Sequence, residues 1–233
     1  MRTALKDKWV LITGASSGFG AAAARAFGAE GARLLLGARR VAKLEEVAAE
    51  ARKVGAPNVE IHALDVSQTS SVEAFVDWAR NILSGRAKTQ TPRQPTNPAG
   101  QSPEPKLDVL INNAGGAHGA DPVLKGKDED WETMVQTNVL GVLRMTRAVL
   151  PLMLNNPGSS IINIGSVAAR TAYEGGAAYC AAKAGELQIT RALRLELNGT
   201  GIRVGTVDPG LAETEFSLVR FKGDAARAKK VYE

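Results

Sequence analysis

Two side chains in the second half of the chain have a spacing that suits proton transfer. Tyr179 and Lys183 begin a predicted helix over 179–198, and residues i and i+4 of an α-helix share one face. A phenol has a pKa of about 10 and is a poor base near pH 7, but a neighbouring ammonium group stabilises the phenolate and lowers that pKa. The pair is therefore predicted to exchange a proton with a carbonyl or alcohol oxygen.

Two further polar residues lie on elements that precede this helix. Ser166 follows a predicted strand, where its hydroxyl can hold a substrate oxygen, and Asn138 lies in a long predicted helix, where its amide can organise water that relays protons from Lys183. Each has a structural alternative: Ser166 as a cap, Asn138 as a surface amide and Tyr179 as packing. Four such groups on successive elements of one sheet nevertheless favour a shared catalytic site.

A glycine-rich bend, residues 13–20, joins the first predicted strand to the first predicted helix. Glycines let the backbone turn tightly and approach a pyrophosphate, and the N-terminus of the next helix points N–H groups at that anion. The alternative is a tight turn whose glycines serve packing, but the position between strand and helix favours a dinucleotide. The residues expected to hold the cofactor here are Gly14, Ser16, Ser17, Gly18, Phe19 and Gly20.

The end of the second predicted strand indicates which dinucleotide binds. A site for NAD usually has an acid there, which bonds the ribose 2′-hydroxyl. This chain has Arg39 and Arg40 instead, and a guanidinium group can pair with a 2′-phosphate that a carboxylate would repel. The alternative is that both arginines are solvated, but cations at a helix start oppose the helix dipole. The sequence therefore favours NADP. At the other end of the dinucleotide, Lys183 is a candidate to hold the ribose of the nicotinamide.

Apolar runs alternate with helical patterns, and every motif lies at the end of such a run or on the next helix. Strands are predicted at 9–12, 33–36, 59–64, 108–111, 160–164 and 203–207, and helices at 19–30, 41–54, from 67 or 70 to 82, 128–155 and 179–198. Continuously apolar strands separated by helices indicate a parallel sheet covered on both faces. The fold class is predicted to be α/β, a Rossmann-type doubly wound parallel sheet in three α/β/α layers, which binds ligands beyond the carboxyl ends of its strands.

Composition narrows the class of protein. The 233 residues are 44% apolar, enough for one sizeable core, so we expect a single dinucleotide-binding catalytic domain over 1–233. No apolar run reaches the roughly 20 residues of a membrane span, and the N-terminus lacks the pattern of a secretory signal. The one cysteine, Cys180, excludes an internal disulfide and favours a reducing, cytoplasmic compartment. No metal site is predicted.

A proline-rich segment, residues 85–106, interrupts the alternation of strands and helices. It holds five of the ten prolines among Gln, Asn, Thr and Ser, and we expect a disordered insert because such a composition cannot bury a core. Residues 84–106 also carry four basic side chains against one acid, which accounts for +3 of the formal charge of +5. No dense basic run alternates with aromatic residues, so no nucleic-acid partner is predicted.

In combination these motifs resemble the short-chain dehydrogenase/reductase family. Residues 13–20 match its TGxxxGxG segment, residues 112–115 its NNAG segment and residues 209–214 its PGxxxT segment. The resemblance implies that Asn138, Ser166, Tyr179 and Lys183 form the catalytic tetrad. It also implies that the cofactor touches a second group of residues outside the bend and the two arginines: Asp65, Val66, Asn112, Ala114, Gly115, Tyr179, Lys183, Pro209, Gly210 and Thr214.

A narrower similarity, on residues 37–40, 162–166 and 209–224, is to the NADP-dependent 3-hydroxy acid dehydrogenase branch. It implies hydride transfer between NADP(H) and a short 3-hydroxy or 3-oxo acid of the serine or allo-threonine type. Arg220 or Lys222 is then a candidate to meet the substrate carboxylate. The alternatives are a related carbonyl reductase of another substrate class and a protein that binds the nucleotide without catalysis.

Two expectations about assembly follow from the same similarity. That branch commonly forms tetramers, so a homo-oligomer, a homotetramer or a dimer, is predicted. The family also continues beyond the position of Glu233 through a helix and a seventh strand, so the C-terminal strand of the sheet is expected to be missing here.

Overall fold

The computed structural model describes residues 4–85 and 104–233, and its centre is a six-stranded parallel sheet. The strands are β1 (Trp9–Thr13), β2 (Arg33–Ala38), β3 (Val59–Ala63), β4 (Val109–Asn112), β5 (Ser160–Ile164) and β6 (Arg203–Val207). They lie in the order β3-β2-β1-β4-β5-β6, and each is parallel to its neighbours. The predicted Rossmann-type sheet is confirmed. Most of the expected insert at 85–106 lies outside the described residues.

Helices connect the strands. They are α1 (Gly18–Ala29), α2 (Val41–Val54), α3 (Thr69–Leu83), α4 (Asp128–Val135), α5 (Gly141–Val149), α6 (Ala177–Glu196), α7 (Glu215–Arg220) and α8 (Ala225–Lys230). The prediction of one helix over 128–155 is wrong, because a π-helical turn, Gln136–Leu140, separates α4 from α5 and a 3-10 turn, Leu150–Leu152, follows α5. Pro151 ends the α-helix early, since it lacks the N–H group that would donate the next helical hydrogen bond.

Alternate residues of the central strands pack into two cores, one on each face of the sheet. Val10 and Ile12 of β1 pack with side chains of α1 and α2, whereas Leu11 packs with side chains of α3 and α5. Successive side chains of a strand point to opposite faces, so both faces of the sheet must be covered by helices. This arrangement produces the predicted three layers.

The carboxyl ends of β1 and β4 meet at the centre of the sheet. β1 pairs with β2 on one side and with β4 on the other, and the chain leaves β1 and β4 towards opposite faces. Such a reversal opens a crevice beyond the strand ends. Thr13, the last residue of β1, joins the two ends, since its Oγ1 accepts hydrogen bonds from the backbone N–H groups of Asn113 (3.0 Å) and Ala114 (2.9 Å).

β6 is an edge strand in the part of the chain that the structure describes. Residues 208–233 contain α7 and α8 and no further strand. Among the helices of residues 4–85 and 104–233, none is both long and apolar enough to cross a membrane.

The two cores make a direct prediction for stability. Leu44 on α2 is 0% exposed, whereas Leu195 on α6 is 81% exposed. Leu44→Ala leaves a cavity in a close-packed core and is expected to lower the free energy of unfolding by about 2–5 kcal/mol. Leu195→Ala, the matched control, should change it by no more than about 0.5 kcal/mol. Denaturant unfolding followed by circular dichroism measures both, and equal losses would contradict the assignment of the core.

Candidate active site

The glycine bend lies against the loop that follows β4. Gly14 has a φ of +64°, and a Cβ atom there would lie 2.8 Å from Ala114 Cα. A Cβ atom on Gly20 would lie 2.5 Å from the side-chain nitrogen of Asn113, which donates hydrogen bonds to the carbonyl oxygens of Thr13 (2.9 Å) and Gly14 (3.1 Å). Gly14 and Gly20 are therefore required by a close approach within the protein, which agrees with the packing alternative of the sequence analysis and leaves room for the pyrophosphate as a prediction.

The opposite wall of the crevice comes from the segment before α7. A Cβ atom on Gly18, whose φ is +53°, would point towards Thr214, 3.7 Å from its Cβ atom. Thr214 caps α7, since its hydroxyl accepts a hydrogen bond from the N–H group of Phe216 (3.2 Å). Pro209 is tied to the turn after β5 through its carbonyl oxygen, which accepts from the N–H group of Val167 (3.2 Å). The bend and this segment thus face each other across a narrow cleft.

Arg40 links both walls of that cleft. Its guanidinium group donates to the hydroxyl of Ser17 (2.8 Å), to that of Ser16 (3.4 Å) and to the carboxylate of Glu215 (2.7 Å). The hydrogen bond from Arg40 holds the pKa of Glu215 below its usual value. Arg39 is exposed next to it. The sequence interpretation did not include Glu215, which only the approach of α7 brings to this position.

Other predicted cofactor contacts lie at neighbouring strand ends. Asp65 follows β3, and its carboxylate accepts hydrogen bonds from the backbone N–H (3.0 Å) and hydroxyl (2.7 Å) of Ser67. Val66 is buried against Gly141 at the start of α5. Gly115 is exposed in the loop after β4, and a Cβ atom there would lie 4.0 Å from Lys183 Nζ. The loop and the amine therefore border the same space.

Asn112, another predicted contact, has its side chain in the interior. It is 3% exposed, and its Nδ2 donates to Asn163 Oδ1 (2.9 Å) on β5 and to Thr146 Oγ1 (3.1 Å) on α5. Asn163 Nδ2 in turn donates to Thr190 Oγ1 (2.8 Å) on α6. This buried chain of hydrogen bonds ties two strands to α5 and α6 below the crevice, and so fixes the strand ends that carry the site.

Asn138 lies in the π-helical turn and is 1% exposed. Its Nδ2 donates to the carbonyl oxygens of Gly116 and Met134, both at 2.8 Å, and its Oδ1 accepts from the N–H group of Gly116 (3.1 Å). The amide therefore holds the loop after β4 against the helix. A π turn inside a helix often occurs at a functional site, and here it turns the amide towards the loop.

Ser166 and Tyr179 meet at the carboxyl end of β5. The Ser166 hydroxyl caps the 3-10 turn Val167–Ala169 by accepting from the N–H group of Ala168 (3.1 Å), so the capping alternative is correct. Burial raises the pKa of Tyr179, and the nearby Ser166 hydroxyl opposes that effect. The ring of Tyr179 packs edge-on against Phe216 of α7, with 5.7 Å between ring centroids.

Lys183 is buried on the same face of α6, at 7% exposed. Its Nζ donates to the carbonyl oxygen of Ile164 (2.8 Å) and to Glu186 Oε2 (2.7 Å). Burial raises the pKa of Glu186, and the charge of Lys183 opposes that effect. The sequence interpretation missed Glu186, although an acid three residues after a lysine on a helix is a recognisable signal.

A pocket opens beside Tyr179, between α4 and the segment that leads into α6. Its lining includes His118, Asp130, Trp131 and Met134. Burial lowers the pKa of His118, which keeps the imidazole neutral near pH 7. Tyr179 is itself one of the residues that line this pocket.

Arg220 is only 9% exposed and bonds Gly119, one of the residues that line this pocket. Its Nε donates to the carbonyl oxygen of Gly119 (2.8 Å), and its guanidinium lies 5.2 Å from the ring centre of Tyr173 and 5.7 Å from that of Phe221. Its positive charge also acts on Tyr179. In the described part of the chain, no carboxylate lies within 4.0 Å of it, whereas Lys222 pairs with Asp130 at 2.8 Å. Arg220 is thus a buried cation without an acidic partner among those residues.

The position of Arg40 generates a prediction about cofactor choice. Arg40→Ala removes a cation from the end of β2 beside Ser17 and is expected to weaken NADP binding about tenfold or more while leaving NAD binding nearly unchanged. Arg39→Ala is expected to act in the same direction. Fluorescence titration with NADPH and NADH measures both, with Arg25→Ala on the outer surface of α1, where it pairs with Glu50, as the control. Equal losses for the two dinucleotides would remove the 2′-phosphate argument.

Known proteins share both the sequence and the fold of this chain. A family model described as short chain dehydrogenase matches residues 8–86 and 99–223. The NADP-dependent 3-hydroxy acid dehydrogenase of Schizosaccharomyces pombe is 41% identical over 229 residues, which cover 98% of this chain and 80% of that protein. Sulfoacetaldehyde reductase 2 of Chromohalobacter salexigens is 41% identical over 226 residues, 96% of this chain and 80% of that protein.

A solved structure agrees with these relatives. The closed form of serine dehydrogenase in complex with NADP+ superposes with a TM-score of 0.81 at 39% identity, over 97% of this chain and 81% of that one. The glycine bend, the cleft beside Arg40 and the phenol at the end of β5 occupy the strand ends where a doubly wound sheet binds its ligands. The chain belongs to the short-chain dehydrogenase/reductase family, as an NADP-dependent oxidoreductase that acts on hydroxyl groups.

Proposed function

We propose that this enzyme interconverts a short 3-hydroxy acid of the serine or allo-threonine type and the corresponding 3-oxo acid. The observation that carries the proposal is Arg220, a buried guanidinium that bonds Gly119, acts on the phenol of Tyr179 through its charge and has no acidic partner among the described residues. Burying an unpaired cation costs free energy. A substrate that brings its own carboxylate supplies the missing partner.

The geometry of Arg220 suits a small anion. One N–H group is used by Gly119, which fixes the orientation of the guanidinium plane, and the ring of Tyr173 lies below it. The remaining N–H groups can bind both oxygens of a carboxylate in parallel. Lys222, the other candidate from the sequence, is exposed and already paired with Asp130, so Arg220 is the better anchor.

The names of two relatives support an acidic substrate. One acts on 3-hydroxy acids and the other is a sulfoacetaldehyde reductase. Carboxylates and sulfonates are both small anionic groups. In the substrates that these names indicate, the anionic group lies a few bonds from the carbon that is oxidised or reduced. An arginine that binds either anion would place that carbon near Tyr179. The carboxylate is the choice that the 3-hydroxy acid relatives favour.

The proposed mechanism assigns one task to each polar group. NADP(H) supplies or accepts the hydride when it is bound. Tyr179 donates its phenolic proton to the carbonyl oxygen during reduction and accepts it from the alcohol during oxidation. Ser166, whose hydroxyl acts to lower the pKa of that phenol, orients the substrate oxygen, and Lys183 provides positive charge beneath them. Asn138 keeps the loop after β4 in place around the reacting carbon.

The residues present fit the cofactor. The bend between β1 and α1 has no side chain at Gly18 that would fill the cleft facing Thr214. Ser17 and Arg40 form a polar, cationic corner at the end of β2, where a 2′-phosphate would lie. We assign the pyrophosphate to the bend and the 2′-phosphate to Arg40, with Arg39 beside it. Three expectations from the sequence remain predictions: that the protein forms a homo-oligomer, that it is a single catalytic domain, and that it is located in the cytoplasm.

Removal of the phenolic oxygen tests the chemistry. Tyr179→Phe keeps the ring that packs on Phe216 but lacks the proton donor, and it is expected to lower kcat by about a hundredfold or more while NADPH binding is retained. NADPH absorbance with short 3-oxo and 3-hydroxy acids measures turnover, and fluorescence measures binding. Tyr232→Phe, which removes a hydroxyl bonded to Ser217 (2.8 Å), is the matched control. Turnover at the wild-type rate in Tyr179→Phe would refute the assignment.

Removal of the anchor tests the substrate class. Arg220→Ala is expected to lower kcat/KM for L-serine or 3-hydroxypropanoate by about 10- to 100-fold, because a charge-assisted hydrogen bond contributes about 1.5–3 kcal/mol. The effect should be smaller for 3-hydroxypropanamide, the uncharged amide of 3-hydroxypropanoate, which forms no ion pair with the guanidinium. Lys222→Ala is the control, with near wild-type kinetics expected. An equal loss for acid and amide would mean that Arg220 only supports the fold.

A further inference from the structure

Glu186 and Lys183 form an ion pair in the interior of the protein. Glu186 is 2% exposed and Lys183 is 7% exposed, and Nζ lies 2.7 Å from Oε2. Such a pair pays a large desolvation cost, and replacing it with well-packed apolar residues is often neutral or stabilising. A buried acid at this position is therefore poorly explained by stability alone.

The carboxyl group of Glu186 has one unused oxygen. Oε1 is buried and has no hydrogen-bond partner in the described part of the chain. Unsatisfied buried polar atoms are rare in proteins and call for a reason. The bonded oxygen, Oε2, faces the amine that we place in the proton-transfer site, and the backbone carbonyl of Glu186 accepts a bond from Thr190 (3.0 Å). The ion pair thus directs one carboxylate oxygen of Glu186 towards Lys183.

We propose that Glu186 is a positioning residue of the active site, which holds the Lys183 ammonium group against β5 and shares its positive charge. Lys183 Nζ has two fixed acceptors, Glu186 and the carbonyl oxygen of Ile164. With both in place, the amine is directed to one side of α6, below the loop after β4. This inference rests on the proposed role of Tyr179 as the acid and base of the reaction.

The proposal has an electrostatic consequence for the phenol. Tyr179, Lys183 and Glu186 follow one stripe of α6, at positions i, i+4 and i+7. Burial is the largest cause that raises the pKa of Tyr179, and the charge of Glu186 raises it further. Neutralising Glu186 should therefore let Tyr179 lose its proton at a lower pH, both directly and because the charge of Lys183 is no longer shared.

Other charged or titratable groups face this stripe from the elements packed on it. The segment after β6 contributes Asp208, whose charge raises the pKa of Glu186 and which is paired with Arg170 from the turn after β5. Arg220 from α7 lowers the pKa of Tyr179, and the Cys180 thiol raises it. The π turn contributes the uncharged amide of Asn138. None of these groups is substituted in the Glu186 variants, so a shift in the pH dependence of their activity reports on Glu186.

The test is the pH profile of Glu186→Gln, which keeps the shape and removes the charge. In oxidation with NADP, the acid limb of kcat/KM requires the phenolate, and it should move to lower pH by about one unit in the variant. In reduction, the alkaline limb requires the phenol and should move down as well. Glu196→Gln, an exposed acid on the same helix, is the matched control and should leave both limbs unchanged. Glu186→Asp should restore most of the wild-type profile.

A second measurement does not depend on turnover. The near-ultraviolet absorbance of ionised tyrosine, titrated for each protein with and without Tyr179→Phe, isolates the phenolate of Tyr179. A lower transition in Glu186→Gln than in wild type supports the proposal, and identical transitions and pH limbs overturn it. Glu186→Met serves in the same way if the glutamine variant does not fold.

The outcomes separate this inference from the proposed function. Any alcohol that the wild-type enzyme oxidises can be used for the pH profile, so the wrong substrate class does not affect the test. If Tyr179→Phe abolishes turnover and Glu186→Gln leaves the profile unchanged, the role of Glu186 is refuted and that of Tyr179 stands. If Tyr179→Phe retains wild-type turnover, the proposed chemistry itself fails.

Discussion

The close contact between the carboxyl ends of β1 and β4 is the constraint on which the site depends. The chain leaves these neighbouring strands towards opposite faces of the sheet, which opens the crevice, and the Thr13 hydroxyl holds the two strand ends together. Gly14 and Gly20 allow the approach because any side chain there would collide with the loop after β4. The bend that can receive a phosphate and the loop that borders Lys183 are therefore two sides of one contact.

Buried polar groups then fix the strand ends around this contact. Asn112 and Asn163 connect β4 to β5, and Thr190 extends the chain of hydrogen bonds to α6. Polar networks of this kind specify a unique arrangement because each unpaired member would be costly. The stripe of α6 that carries Tyr179 is thereby held at a set distance from the crevice.

Three charged side chains are buried at the same end of the sheet, and they differ in how they are compensated. Lys183 and Glu186 form an ion pair, whereas Arg220 bonds a backbone carbonyl and lies against the rings of Tyr173 and Phe221. A buried charge that the protein does not pair is the feature that a ligand of opposite charge can exploit. The contrast explains why we assign the pair to proton transfer and Arg220 to the substrate.

The sequence by itself determined the order of elements, the parallel sheet, the glycine bend and the preference for NADP, and it predicted Ser166, Tyr179 and Lys183 as site residues, because these depend on local patterns and fixed motif spacing. Only the tertiary structure showed the π turn around Asn138 within the long helix, the burial of Arg220 against the pairing of Lys222, and the approach of Glu215 and Glu186 to their cationic partners. Burial and contacts between distant segments set these features, and a periodic pattern of apolar residues carries no information about which charges will meet.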